Sequence, residues 1–135
     1  MILLLALTLA FVQDGTVERL RDVQRIYIGS MGASDEAERF RLLLEESLTK
    51  ERFTVVDKDS AADAILSGVL TVRVYDDDSI ARATVRLKNH SGTVIWSGDF
   101  QPKVSLFKRV KDTVKFRADN IAEALRKAKK KDATS

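Results

Sequence analysis

The chain has 135 residues, of which 44% are hydrophobic and 32% are charged, so it can bury one compact core and is too apolar for a disordered protein. It contains no cysteine, which excludes disulfides, thiolate metal sites, cysteine nucleophiles and a lipid-modified N-terminal cysteine. The single histidine, His90, argues against a zinc site and against a Ser-His-Asp triad. The net charge of +3 is weak evidence for nucleic acid binding. We therefore expect one domain without a metal, a cofactor or enzymatic activity.

Residues 1–12 form an apolar run without a charge. As a helix the run would reach about 18 Å, short of the ~30 Å hydrocarbon core of a bilayer, so it predicts a signal peptide rather than a membrane span. No basic residue precedes it, and Thr8 and Ala10 meet the cleavage rule only loosely. The alternative is a buried first strand or helix of a cytosolic domain. Because the residues after Gln13 turn abruptly polar, we favour a periplasmic or secreted protein that touches a membrane only through an uncleaved leader.

Residues 13–24 predict a linker or a short helix, because Val17, Leu20 and Val23 recur at helical spacing among charges. A single α/β domain is predicted at 25–131, followed by a disordered tail at 132–135. The domain starts with a strand from residue 25, which ends in a glycine-containing loop at 29–32.

Two helices are predicted. The first is capped by Ser34 or Asp35, has acidic residues at its positive end and runs to about Lys50. The second begins between Ser105 and Asp112 and ends in a lysine-rich turn, where the helix dipole favours cations. The apolar stripes are Ala37, Phe40, Leu44 and Leu48 in the first helix, and Val110, Val114, Ala118, Ile121, Leu125 and Ala128 in the second.

Four further extended segments lie between the helices. A short strand is predicted at 53–56, and a second one begins at 64, with Gly68 as a bulge or a close backbone approach. After a turn at 76–79, strict alternation of apolar and polar residues predicts a strand that runs to residue 88 and is exposed to solvent on one face. A turn at 89–92, with Gly92 at positive φ, leads into a partner strand at 93–101, which Pro102 ends.

The element order β-α-β-β-β-β-α predicts an α+β fold. We expect a single two-layer domain with a mostly antiparallel sheet of four to five strands and both main helices on one face.

One face of this sheet is a candidate binding surface. Its basic and aromatic residues are typical of small RNA-binding modules, but such modules usually offer two or three aromatic residues, and Asp99 could neutralise part of the charge. A solvated sheet face is the simpler interpretation. The predicted binding face consists of Arg73, Tyr75, Arg82, Arg86 and Lys88.

Other candidate sites have plainer interpretations. The run at 76–78 lacks the spacing, glycine and terminal glutamate of a calcium loop, so a solvated turn is expected. His90 is expected to be an exposed turn residue.

Two segments resemble a known family. Residues 55–58 and 62–68 read VVDK and ADAILSG, and residues 83–96 read ATVRLKNHSGTVIW. They resemble motifs of bacterial envelope proteins related to the curli-secretion channel subunit. The order of elements over 25–131 is also similar to that of two other groups of proteins. These are the periplasmic activator lipoproteins of penicillin-binding proteins and the N-terminal domain of the Tol-system propeller protein. The resemblance implies a periplasmic α/β domain that binds other envelope proteins or assembles into rings, without catalysis. Without a cysteine for lipid anchoring or long alternating segments for a membrane hairpin, a pore is not expected.

The leading hypothesis is thus an exported, non-catalytic domain that acts through contacts with another envelope protein or with itself. The rival is a cytosolic nucleic-acid-binding module that uses the basic sheet face. A hydrolase with a carboxylate pair is a third option, for which no residues can be named.

Overall fold

The structure, a computed structural model, describes residues 16–75, 78–101 and 113–134, with the backbone alone for 74, 75, 78, 79 and 113. The predicted signal peptide at 1–12 and the possible starts of the second helix at 105–112 lie outside the described residues. The predicted order of elements is confirmed: β1 (Arg25–Ile28), α1 (Asp35–Lys50), β2 (Thr54–Val56), β3 (Ala64–Tyr75), β4 (Asp78–Lys88), β5 (Val94–Phe100) and α2 (Thr113–Ala133).

The five strands form one mixed sheet in the order β2-β1-β3-β4-β5. β1 is parallel to both β2 and β3, whereas β3, β4 and β5 are antiparallel neighbours. The two long ladders are antiparallel, as expected for a mostly antiparallel sheet, but the two short ladders of β1 are parallel, so the sheet is mixed. Parallel strands arise because α1 carries the chain back to the same end of the sheet before β2, and the connection at 57–63 does the same before β3.

Both helices pack on one face of the sheet, which confirms the predicted α+β two-layer class. α1 contacts β1, β2 and β3, α2 contacts β4 and β5, and the two helices contact each other. The alternation predicted for β4 is also confirmed, with apolar residues fully buried under the helices and polar residues exposed on the other face. The buried apolar side chains of β4 and of the two helices are Ala81, Ala83, Val85, Leu87, Ala37, Phe40, Leu44, Leu48, Val114, Ala118, Ile121, Ala122 and Leu125.

Two polar contacts fix α2 against the rest of the fold. The Ser47 hydroxyl on α1 donates to Asp119 Oδ1 at 2.7 Å. Arg117, which is only 7% exposed, donates through Nε to the carbonyl oxygen of Ala81 at 2.8 Å. Burial lowers the pKa of Arg117.

The first helix follows its predicted bounds. Its N-cap is Ser34, whose hydroxyl accepts a hydrogen bond from the backbone N–H of Ala37 at 3.1 Å. The helix ends at Lys50, and the chain turns through Arg52 at a φ of +71°. β2 then begins at Thr54, one residue after its predicted start.

The chain on either side of the predicted domain packs against it. Within the predicted linker at 13–24, Leu20–Asp22 form a 3-10 turn, and Leu20 and Val23 are buried in the core. The second helix runs to Ala133, which differs from the predicted disordered tail at 132–135. Asp132 accepts a hydrogen bond from the backbone N–H of Arg21 at 2.9 Å, so the two ends of the described chain are tied together.

The hairpin between β4 and β5 has the predicted turn at 89–92, with Gly92 at a φ of +86°. Of the turn predicted at 76–79, Asp78 and Ser79 belong to β4, and residues 76 and 77 lie outside the described residues. The predicted close approach at Gly68 is confirmed, since a Cβ placed there would lie 2.9 Å from the Cα of Val85 and even nearer to the carbonyl oxygen of Thr84.

Candidate functional site

The sheet face that points away from both helices is the main candidate surface, and we call it the open face. Its side chains alternate along β3 and β4 with the buried ones, and the strand register brings them into rows across the sheet. Its described side chains are Arg25, Tyr27, Thr54, Val56, Asp63, Ile65, Ser67, Val69, Thr71, Arg73, Ile80, Arg82, Thr84, Arg86, Lys88, Val94, Ser97 and Asp99.

Four of the five residues predicted to form the binding face have described side chains, and all four lie on the open face. The β3–β4 register pairs Arg82 with Thr71, Arg86 with Ser67, and Lys88 with Ile65. Arg73 follows on β3, opposite Ile80. The side chain of Tyr75 lies outside the described residues, although its backbone pairs with Asp78 at the end of β3.

Arg82 is neutralised by a carboxylate on the neighbouring strand. Its Nη2 lies 3.1 Å from Oδ2 of Asp99. The same carboxylate accepts hydrogen bonds from the amide of Gln101 at 3.0 Å and the hydroxyl of Thr84 at 3.1 Å. These hydrogen bonds, from Gln101, then Arg82 and Thr84, hold the pKa of Asp99 below its usual range. Arg82 is therefore less available to an anionic ligand than its neighbours.

The remaining cations leave a smaller basic patch. Within residues 16–75, 78–101 and 113–134, Arg73, Arg86 and Lys88 make no ion pair. Arg73 and Arg86 are exposed, whereas Lys88 is half-buried. Arg86 is thus an exposed, unneutralised cation near the centre of the open face.

An apolar row crosses the same face and was not identified from the sequence. The row consists of Val56, Tyr27 and Ile65, which are half-buried register neighbours on β2, β1 and β3, and it ends at the half-buried cation Lys88 on β4. Val69 lies further along β3 and is 59% exposed. These residues belong to different strands, so only the strand order brings them together.

The other aromatic side chains of the sheet lie away from the open face. Trp96 is the register partner of buried Leu87, and Phe100 is the partner of buried Ala83. The two aromatic rings lie 6.3 Å apart, on the helix side of the sheet. Tyr27 is therefore the one aromatic side chain on the open face among the side chains that the structure describes.

The lone histidine makes a structural contact. His90 is an exposed turn residue, as predicted, and its Nε2 lies 2.6 Å from the carbonyl oxygen of Ala62. The described part of the chain contains no group of three or more His, Cys, Asp or Glu residues that could hold a metal ion. Asp76 and Asp77 lie outside that part.

A cluster of hydrogen bonds around one carboxylate, that of Asp63, lies at the start of β1. Asp63 accepts hydrogen bonds from the backbone N–H groups of Gln24 and Arg25 at 2.9 and 2.8 Å, and from the Arg25 guanidinium at 3.1 Å. Burial raises the pKa of Asp63, but these donors together outweigh it and bring the pKa below its ordinary value. The cluster joins the strand ends and presents no free carboxylate to a ligand.

Comparisons with known proteins identify a shared fold. No protein-family model and no curated protein sequence matches the chain. Among solved structures, the chain is similar to a PelC variant dodecamer from Paraburkholderia phytofirmans, with a TM-score of 0.55 and 15% sequence identity. The match covers 85% of this chain and 94% of that chain. The chain therefore has a PelC-like fold. In addition, none of the described helices is long and apolar enough to cross a membrane.

Proposed function

We propose that this chain is a non-catalytic domain of the bacterial cell envelope that acts through protein–protein contacts and associates with copies of itself. The observation that carries the proposal is the likeness to PelC over nearly the whole of both chains, because that structure is a dodecamer. The resemblance of segments 55–68 and 83–96 to envelope proteins related to the curli-secretion channel subunit supports the same class of function.

Export is the first part of the proposal. It is supported by the apolar run at 1–12 and by the envelope-like segments that follow it. Fractionation of cells that express the full chain, followed by N-terminal sequencing, tests this part. We expect the protein in the periplasm or the medium, with a new N-terminus near residue 11. An intact Met1 in the cytoplasm would contradict it.

Self-association is the second part. We expect the chain recovered from cells to sediment as an oligomer whose mass is a whole-number multiple of one copy. Sedimentation velocity over a hundredfold range of protein concentration measures this. A single copy at every concentration would contradict self-association and leave contacts with another protein as the function.

The absence of catalysis is supported by the chemistry of the side chains. There is no cysteine, and the one histidine is held against the carbonyl oxygen of Ala62 in a turn. Nucleophilic catalysis and general acid–base catalysis at neutral pH most often use these two residue types.

A second candidate function is nucleic acid binding through Arg73, Tyr75, Arg82, Arg86 and Lys88. Arg86 favours it, because this exposed cation has no ion pair in the described part of the chain. The bond between Arg82 and Asp99 and the single described aromatic residue on the open face disfavour it. Titration with single-stranded RNA at rising salt discriminates the two, since a nucleic-acid-binding module loses affinity steeply as salt rises.

A further inference from the structure

Two apolar side chains are exposed on opposite sides of the molecule. Leu42 on α1 is 54% exposed, and Val69 on β3 is 59% exposed. Successive residues of an α-helix are rotated by about 100° around its axis, which places Leu42 almost opposite the buried stripe of α1. The side chain of Leu42 therefore points away from the sheet. Val69 lies on the open face, on the far side of the sheet from α1. A single copy cannot bring these two side chains together.

Carboxylates predominate around Leu42, where Glu38, Glu45 and Glu46 outnumber Arg39, whereas cations predominate around Val69. Glu38 and Glu46 lie one helical turn before and after Leu42 and are 62% and 60% exposed. Arg82 and Arg86 lie at the two diagonal positions across from Val69, on either side of its partner Thr84. Overall, α1 carries five acidic and three basic residues, whereas the open face carries five basic residues against the carboxylates Asp63 and Asp99.

The spacing of the two patterns also matches. On α1, the row of Glu38, Leu42 and Glu46 advances by about 6 Å at each step. On β4, the row of Arg82, Thr84 and Arg86 advances by about 6.7 Å at each step. The acidic pair is therefore separated by about 12 Å and the basic pair by about 13 Å along their elements. Each row has an uncharged centre between two like charges.

The ion pairs already present do not prevent such a contact. Glu38 is paired with Arg41, Glu46 with Lys50, and Arg82 with Asp99, all through exposed side chains. Exposed pairs of this kind stabilise a fold by about 0–1 kcal/mol, so they can exchange for contacts across an interface.

We propose that copies of this chain associate head to tail, with the open face of one copy against the outer surface of α1 of the next. The inference rests on the proposed self-association and names the surfaces that carry it. The two surfaces differ and lie on opposite sides of one copy. A row of associated copies therefore always has an unoccupied open face at one end and an unoccupied α1 surface at the other. Such an interface closes into a ring or continues as a filament, and the similar PelC structure is a dodecamer.

A charge exchange tests the pairing of the two surfaces in the full chain recovered from cells. We expect Arg86→Glu and Glu46→Arg each to raise the dissociation constant of the oligomer by about tenfold or more. Arg86→Glu is then combined with Glu46→Arg and, separately, with Glu38→Arg, because the two rows can align in either direction. One of these double variants should recover most of that loss, since it restores opposite charges where Arg86 meets α1. Lys130→Glu serves as the control, because it reverses the charge of an exposed residue at the end of α2, as Arg86→Glu does on the open face. It should leave the oligomer unchanged. Sedimentation equilibrium gives the constants, and an unchanged far-ultraviolet circular dichroism spectrum with a cooperative urea transition verifies that each variant folds.

The outcomes separate the interface from the proposed function. If the oligomer forms and neither single variant weakens it, or if neither double variant recovers the loss, the interface is wrong and the self-association stands. If the unaltered chain is a single copy at every concentration, the self-association itself is wrong, and the interface falls with it.

Discussion

The side-chain amide of Asn89 donates a hydrogen bond from Nδ2 to the carbonyl oxygen of Val17 at 2.9 Å, across 72 residues of chain. The other end of the same amide organises the β4–β5 turn, because Oδ1 accepts from the backbone N–H groups of Ser91 and Thr93 and from the Ser91 hydroxyl. Asn89 is only 4% exposed. One buried side chain therefore joins the chain that precedes the sheet to the hairpin at its other end.

Replacing Asn89 should cost more stability than its position in a turn suggests. We expect Asn89→Ala to lower the free energy of unfolding by about 2 kcal/mol or more, because four hydrogen bonds lose their partner and net losses are about 0.5–1.5 kcal/mol each. Urea denaturation measures the change. Thr93→Ala is the control, since only the backbone of Thr93 bonds to Asn89, and it should change stability by less than about 0.5 kcal/mol. Equal losses in the two variants would contradict the role of Asn89.

Asp63 should make stability depend on pH in the acid range. Its pKa in the folded chain lies below its ordinary value, so the carboxylate stabilises the fold at neutral pH. That contribution is complete above the unfolded pKa of about 3.9 and is lost as the pH falls through the folded pKa. Asp63→Asn removes it at every pH. We therefore expect the difference in unfolding free energy between the two proteins to shrink between pH 7 and pH 3.

The measurement is urea denaturation of both proteins at several pH values. Asp59→Asn is a matched control, because Asp59 is exposed and makes no side-chain hydrogen bond in the described part of the chain. A difference between the original chain and Asp63→Asn that is constant from pH 7 to pH 3 would show that the carboxylate charge is not what stabilises the strand ends.

Gly68 and Gly29 form a matched pair for testing close backbone approach. A Cβ at Gly68 would meet the backbone of Thr84 and Val85, which cannot move without opening the β3–β4 ladder. A Cβ at Gly29 would meet its neighbours at 3.5–3.6 Å, which is ordinary contact. We expect Gly68→Ala to lower the unfolding free energy by about 1–3 kcal/mol and Gly29→Ala to change it by less than about 1 kcal/mol. Thermal and urea denaturation check this order, and the reverse order would contradict the register at Gly68.

The contact between Ser47 and Asp119 should couple the two helices. The single variants Ser47→Ala and Asp119→Ala and the double variant form a cycle, from which we expect an interaction free energy of about 0.5–1.5 kcal/mol. Thr49→Ala paired with Asp119→Ala is the control cycle, because the Thr49 hydroxyl bonds within its own helix to the carbonyl oxygen of Glu45. That cycle should give a value near zero. Additive losses in the first cycle would mean that the hydrogen bond is not formed in solution.

Local signals predicted the elements with strong periodicity. The bounds of α1 follow from the Ser34 cap and a stripe of apolar residues at three- and four-residue steps. The β4–β5 hairpin follows from alternation and from the turn residues around Gly92. Strand direction was not predictable in the same way, because alternation identifies a strand and its two faces but says nothing about which way its neighbour runs.

The candidate site was predictable only in part, for a related reason. Alternation along β4 is enough to place Arg82, Arg86 and Lys88 on one face of the strand. That Asp99 neutralises Arg82 depends on the β4–β5 register, which includes a shift between Leu87 and Lys88. A slip of one residue would have turned Asp99 to the other face.

Local sequence was enough to establish the class of this protein: one α+β domain with two amphipathic helices, a hairpin, no cysteine chemistry and an apolar run at its start. Those properties reside in short stretches of chain, where side-chain periodicity and local hydrogen bonding act over a few residues. The folded arrangement alone revealed the mixed order of the sheet, the apolar row from Val56 to Lys88, and the positions of Leu42 and Val69 on opposite sides of the molecule. These relationships join residues distant in sequence, and they exist only after the strands have paired and the helices have covered one face.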